Sequence, residues 1–168
     1  MFFRVWPVFV LSVALGACQA ERKRGGVHAD LTGTTTPVSR IQPSGQALVK
    51  AQKHFAKQDY GLAEKFFREA VEHNSNNTDA WIGLAASYDH LRRFDLADRA
   101  YKVVVKQAGY TVTVHNNRGY HYYLQGKMAE ARKHFVAANR IDPANPYVLQ
   151  NLELVEAEMP RRRRSAKR

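Results

Sequence analysis

The sequence predicts an all-α solenoid of three stacked helical hairpins closed by one further helix. Two observations carry this. From Ser44 to Asn145 the chain repeats itself every 34 residues, and small and aromatic residues recur at fixed positions of the repeat. Ala, Leu, Lys, Arg, Glu and Gln dominate the same stretch, which favours helices. Aligning 44–77, 78–111 and 112–145 puts Ala63, Ala97 and Ala131 at the twentieth position and Phe67, Tyr101 and Phe135 at the twenty-fourth. Ala70, Val104 and Ala138 share the twenty-seventh, and Ala51, Ala85 and Gly119 the eighth. Two helices of a hairpin approach closely only where side chains are small. The recurring aromatic then fills the space against the next hairpin.

Residues 1–17 read as an export signal. Arg4 supplies a positive start, and Val5 to Ala17 carries no charge. As a helix this core would span about 20 Å, short of the ~30 Å hydrocarbon thickness of a bilayer, so it reads as a signal and not a membrane span. It ends Leu15-Gly16-Ala17-Cys18, which resembles the lipobox of bacterial lipoproteins. That resemblance implies a covalent lipid on Cys18, the sole cysteine. An ordinary secretory peptide cut near Gly16 or Ala20 is the other reading. Gln19 follows the Cys where an Asp would signal retention in the inner membrane, which implies the periplasmic face of the outer membrane. Residues 18–43 are rich in Arg, Lys, Gly, Thr and Ser without helical or strand period, and read as the lipidated Cys and a flexible tether. Arg22, Lys23 and Arg24 either touch lipid phosphates or are simply solvated.

The repeat places helices at 45–57, 60–74, 79–91, 94–107, 113–125 and 128–140. Asp59 and Thr78 are the expected N-caps. A seventh helix is expected over 146–159, with Pro146 at its start and Pro160 past its end, covering the apolar edge of the third hairpin. Residues 160–168 then form a disordered tail. It carries six basic residues (Arg161 to Arg164, Lys167, Arg168) and no acid. The tail is inert and solvated, or binds anionic lipid or cell-wall polymer, or binds nucleic acid. The whole chain has a formal net charge of +11, but residues 41–160 hold 15 basic against 13 acidic residues. A nearly neutral fold argues against nucleic acid as a partner, which expects a basic face on the folded domain.

A 34-residue period with this pattern resembles the tetratricopeptide repeat (TPR). Trp81 and Leu84 stand at the expected fourth and seventh positions of the second repeat, and Pro143 ends the third. Ala47, Lys50 and His54 depart from the pattern in the first repeat, which therefore reads as a cap. His54 is expected to be a packed imidazole. His115 and Arg118 depart in the third. The resemblance implies a TPR solenoid whose first helices line a concave groove for a protein partner. The groove-facing positions fall on Leu48, Gln52 and Phe55 in the first repeat, and on Ile82 and Asp89 in the second. They fall on Asn116, Tyr120 and Tyr123 in the third, extended by Tyr147. Aromatic rings offer contact area and amides can bond a backbone; the alternative is that some tyrosines only pack beneath the closing helix. The Lys/Asn/Arg clamp of chaperone-binding TPRs, which holds a terminal carboxylate, is missing.

No phosphate-binding loop, His-Glu-x-x-His or Gly-x-Ser-x-Gly pattern is present. No catalytic residue, metal site or cofactor is therefore expected, and the chain does not read as an enzyme. His121 and His134 sit on neighbouring helices without a second cysteine or a carboxylate companion in view, and read as surface or partly packed.

The third repeat opens His115-Asn116-Asn117-Arg118-Gly119-Tyr120 and ends Asp142-Pro143-Ala144-Asn145-Pro146, followed by Asn151-Leu152-Glu153-Leu154. With the lipobox, short tether and few repeats, this resembles the TadD lipoproteins of Tad (tight adherence, Flp-type) pilus systems. The resemblance implies a membrane-anchored periplasmic adaptor that assists assembly of an outer-membrane secretin or another pilus component. The alternatives are an envelope lipoprotein that scaffolds a peptidoglycan hydrolase or protease, and a pilotin of another secretion system.

Overall fold

The computed structural model describes residues 43–165. The export signal, Cys18, the expected tether before Pro43 and the last three residues lie outside them. Within the described residues there are seven helices and no strand: α1 (Pro43–Ala56), α2 (Tyr60–His73), α3 (Thr78–His90), α4 (Phe94–Ala108), α5 (Val112–Leu124), α6 (Met128–Ile141) and α7 (Pro146–Ser165). Short connections make neighbours antiparallel, so α1–α2, α3–α4 and α5–α6 are hairpins, and α7 packs on α6 and α5. The fold is the expected all-α TPR solenoid of three hairpins and a closing helix.

The period explains the interior. Ala63, Ala97 and Ala131 are all fully buried, as are Phe67, Tyr101 and Phe135. The eighth position works within a hairpin: a Cβ on Gly119 would collide with the Phe135 ring. The sixth works between hairpins, because a Cβ on Gly83 would enter the Phe67 ring of the preceding hairpin. Each turn between paired helices also needs one left-handed residue. Gly126 (φ 77°) adopts it freely, whereas Gln58 (φ 64°) and Arg92 (φ 61°) do so at a cost of about 1 kcal/mol each.

Stacking decides what the repeat positions mean at the ends. The third, sixth and tenth positions are buried as Ala80, Gly83 and Ser87 in α3, and as Val114, Asn117 and His121 in α5. In α1 the same positions are Gln46, Val49 and Lys53, all exposed. No hairpin precedes α1 among the described residues, and its outer face is largely polar, as a cap requires. The outer face of α7 carries Glu153 and Glu156 beside one large exposed apolar residue, Leu149. Arg132 of α6 donates to Glu156 at 3.1 Å.

Details of the helix ends differ from expectation. Asn77, not Thr78, caps α3, accepting from the Ala80 N–H at 3.0 Å. Thr78 is already helical and donates to Gln107 at 3.1 Å. Asp59 occupies the N-cap of α2 without a capping bond; its carboxylate faces His54 Nδ1 at 3.4 Å. His54 stacks on Phe66 at 5.4 Å and is a packed imidazole. The closing helix does not stop before Pro160 but runs through it to Ser165. Proline removes one intrahelical bond, and the arginines beyond it are good helix formers, so the backbone of 160–165 is helical where a disordered tail was expected.

Candidate protein-binding groove

The first helices of successive hairpins touch one another (α1 with α3, α3 with α5, α5 with α7), while α2, α4 and α6 make no such contacts. Stacking that is tighter along one side curves the array, so α1, α3, α5 and α7 line its inner surface.

Along that surface runs an aromatic tract. Phe55 meets Tyr60 edge-on at 5.3 Å and His90 at 5.6 Å. Tyr60 lies flat on His90, with centroids 4.0 Å apart and planes 5° from parallel. His90 continues to Tyr120 at 6.2 Å, and Tyr120 to Tyr123 at 5.7 Å. Burial holds the His90 imidazole down at a pKa of about 4. It also pushes the Tyr120 phenol up to about 12, with Tyr123, Tyr60 and Asp89 adding to the shift. The tract is therefore uncharged at neutral pH.

The expected groove residues divide into two groups. Leu48, Gln52, Asn116, Tyr123 and Tyr147 are half-buried and stand on the inner helices. Asn116 accepts from Asn151 of α7 at 2.9 Å, which joins the closing helix to the groove wall. The other four are corrected by their burial. Phe55, Ile82, Asp89 and Tyr120 lie in the interior, with Phe55 the most exposed at 7% and Asp89 at 0%. Phe55 and Tyr120 form the floor of the tract and Ile82 packs with Val104 and Val114. Asp89 is out of a partner's reach.

Asp89 belongs instead to a buried polar network between the second and third hairpins. His121 Nδ1 lies 2.5 Å from one Asp89 oxygen, and Tyr101 donates to the other at 3.1 Å. Gln125 meets His121 Nε2 at 2.6 Å, so with Nδ1 protonated both ring nitrogens are satisfied. Desolvation raises the Asp89 pKa, opposed by the His121 bond and charge and by the Tyr101 bond. Burial, then the Asp89 charge and bond, hold the Tyr101 phenol well above its usual range. The surface or partly packed reading of His121 is thus corrected: it is fully buried. The repeat carried the signal, since the tenth position is also occupied by buried Ser87. His90 and Tyr60, at positions thirteen and seventeen, were missed because they lie outside the groove-facing positions that the repeat resemblance implies.

His134 pairs with His115 and not with His121. Their Nδ1 atoms are 3.0 Å apart and their ring centroids 5.3 Å. The nitrogens therefore lie nearly on the line between the rings, which suits a shared proton and not a chelated ion. Desolvation lowers the pKa of both, most strongly for His134, and Arg118 adds to it. No group of three or more metal-ligating side chains occurs among the described residues. One ion pair ties the first two hairpins: buried Glu64 accepts from Arg93 at 2.7 Å, and also from Arg68 one turn along its own helix.

Tetratricopeptide-repeat family models match residues 48–110 and 112–145. A comparison with curated proteins finds no sequence match. Among solved structures, the first TPR domain of human RPAP3 superposes with a TM-score of 0.65 at 18% identity, over 74% of this chain and 98% of that one. Pseudomonas aeruginosa pilF superposes at 0.61 with 24% identity, over 72% of this chain and 55% of its own. The Yersinia enterocolitica type III secretion chaperone SycD, in complex with a peptide of the translocator YopD, superposes at 0.56 with 18% identity, over 67% and 92%. Repeat period, buried positions, stacking and family models agree: the chain belongs to the tetratricopeptide-repeat family.

Proposed function

We propose that this chain is a membrane-anchored adaptor whose concave groove holds a segment of a partner protein. The observation that carries the reading is the distribution of side chains. The outer faces of α1 and α7 are largely polar, while half-exposed rings and amides gather on the inner helices. A partner segment laid there meets rigid aromatic area at little entropic cost, the kind of surface on which binding energy concentrates. Gln52 and Asn116 can bond its backbone. The floor is uncharged and lacks a cation to hold a terminal carboxylate, so the groove suits an internal segment. SycD, similar in fold, is solved with a partner peptide, which supports this use.

The lipobox-like Leu15-Gly16-Ala17-Cys18 supports a lipid anchor in the outer membrane, facing the periplasm. The likeness to TadD lipoproteins supports a role in assembling a pilus secretin or another component of a Tad/Flp-type system. The test replaces Gln52, Tyr123 and Tyr147 with Ala together, sparing buried Phe55 and Tyr120. The variant is expected to keep its helicity and its place in the membrane but to lose crosslinked partner and secretin assembly. Full partner capture by a folded triple variant would place the binding site elsewhere. Cys18→Ser is expected to abolish labelling by a palmitate analogue; undiminished labelling would refute the anchor.

A further inference from the structure

The first hairpin carries its positive charge on one side. From 44 to 58 the chain holds Lys50, Lys53 and Lys57 and no acid. The Lys57 N–H still bonds to the Lys53 carbonyl at 3.3 Å, so helical spacing continues to it. The three lysines then fall within about 60° of one side of α1. All three are exposed, on the outer face that no hairpin covers among the described residues. α2 extends this surface. Its Phe66 ring has Lys50 Nζ at 5.5 Å and Lys65 Nζ at 5.8 Å, and rests on His54, so a fourth ammonium joins the same side. Two apolar side chains lie among the lysines. Val49, 60% exposed, is the most exposed of the large apolar residues among the described ones. Leu62, 46% exposed, stands one turn before Phe66 on α2. The acids at its border are Asp59, which faces His54, and half-buried Glu69, one turn after Phe66.

We propose that this outer face of the first hairpin docks on an anionic phospholipid surface. Charge complementarity sets the class of partner, and the side chains narrow it. All four cations are lysines. The carboxylates of an acidic protein are gripped better by the planar fork of arginine, whereas a hydrated ammonium on a flexible stem suits a plane of mobile phosphates. The stripe from Lys50 to Lys57 is about 10 Å long, too short to follow more than about three phosphates along one strand of a duplex. Val49 and Leu62 would gain nothing there. At a bilayer such apolar groups enter the headgroup boundary while the lysines stay with the phosphates. α4 repeats the basic spacing at Arg99, Lys102 and Lys106, but Asp95 opens that stripe.

The inference rests on the membrane-anchored reading, which brings a bilayer within reach. The chain that follows Cys18 enters the stack at Pro43, the first residue of α1, so the first hairpin is the part joined to the anchor. Each lysine near an anionic bilayer strengthens binding about five-fold. Four make a modest attraction for a free protein, and an effective one for a protein that its tether already holds at the surface. Docked in this way the stack stands on its first hairpin, with the groove running away from the bilayer toward a partner.

The experiment uses residues 19–168, which keep all seven helices and lack Cys18, so vesicle binding cannot come from a lipid anchor. Its probes are vesicles of phosphatidylcholine alone and vesicles with about one third phosphatidylglycerol. At about 0.1 M salt the protein is expected to bind the anionic vesicles and not the neutral ones, and to release them at about 0.5 M. Lys50→Gln, Lys53→Gln, Lys57→Gln and Lys65→Gln together should weaken anionic binding roughly 100-fold. Helicity should not change, since all four side chains are exposed. A control changes Arg99, Lys102 and Lys106 to Gln and should lose less than about five-fold. Equal losses in the two variants would make net charge responsible and overturn the proposal. With Cys18 absent, Val49→Cys or Leu149→Cys supplies a single thiol for an environment-sensitive dye, one at each end of the stack. The dye at 49 should shift to the blue on anionic vesicles and the dye at 149 should not; the reverse pattern would overturn the proposal. So would tighter binding to a short DNA duplex than to the vesicles, or a lysine variant that loses self-association and keeps vesicle binding. Palmitate labelling of Cys18 tests the anchor and partner capture tests the groove, so failure of either reading shows there and not here.

Discussion

Replacing Asp89 with Ala tests how far the stack rests on its polar interior. The carboxylate is fully buried and takes two bonds, from His121 at 2.5 Å and Tyr101 at 3.1 Å. Ala leaves a buried imidazole without its Nδ1 acceptor and a buried phenol with only the Asn117 carbonyl, 3.5 Å away, on opposite sides of the junction between the second and third hairpins. Breaking a buried pair by removing one member costs about 3–5 kcal/mol. The 1–3 kcal/mol for each stranded donor is part of that figure and is not added to it. For a domain of this size about 4 °C accompanies each kcal/mol, so the melting temperature should fall by about 12–20 °C. Asp89→Asn keeps the shape and an oxygen for Tyr101, and should cost roughly half as much. Urea and thermal unfolding of Asp89→Ala, His121→Ala and the double variant complete the cycle. A coupling of about 1.5–3 kcal/mol is expected, because the second removal finds its partner already gone. A loss under about 1 kcal/mol for Asp89→Ala, or additive single effects, would show that the network is decorative and that apolar packing alone holds the junction.

Ala97→Leu and Ala131→Leu each put bulk into a fully buried helix crossing and should cost about 1–3 kcal/mol by overpacking; melting curves unmoved by both would mean the hairpin contacts are elsewhere. His90 and His134 are held at a pKa of about 4, His90 by burial and His134 by burial and then the Arg118 charge. Unfolded, both return to the ordinary imidazole value of about 6.5. Between these values the unfolded chain binds more protons, so their contribution is complete above pH ~6.5 and is lost as pH falls toward 4. The urea midpoint should drop across that window, less steeply in the His90→Gln/His134→Gln double variant; an identical slope in that variant would assign the acid sensitivity to other groups.

Much of this architecture could be read along the chain. A 34-residue period brings Ala63, Ala97 and Ala131 to one kind of contact and Phe67, Tyr101 and Phe135 to another, and all six are buried where the period places them. The capping role of the first repeat was also legible, because Ala47, Lys50 and His54 depart from the repeat pattern, whereas the exposed outer face of Gln46, Val49 and Lys53 is seen only in the structure. The resemblance to the repeat family also implied that Leu48, Gln52, Asn116, Tyr123 and Tyr147 face the groove. Periodicity is a local property, fixed by 3.6 residues per turn, so one strand of text is enough to state it.

Depth and partnership are different. Phe55, Ile82, Asp89 and Tyr120 share the inner stripe with the half-exposed residues, yet neighbouring elements cover them: Tyr60 and His90 lie over Phe55, and His121 and Tyr101 close on Asp89. How close two hairpins come depends on the volumes at their interface. Ala80, Gly83 and Ser87 let α3 settle against α2, whereas Val114, Asn117, Arg118 and His121 hold α5 further from α4. The wider junction is the one filled by a histidine, a tyrosine and their shared aspartate. By itself the sequence determined the period and the hairpins, and the family resemblance carried by that period marked the capping repeat and the groove-facing positions. Only the tertiary structure decided which of those residues reach the surface and which pair beneath it, because that follows from the spacing and angle between helices distant in sequence, set by all the side chains packed between them.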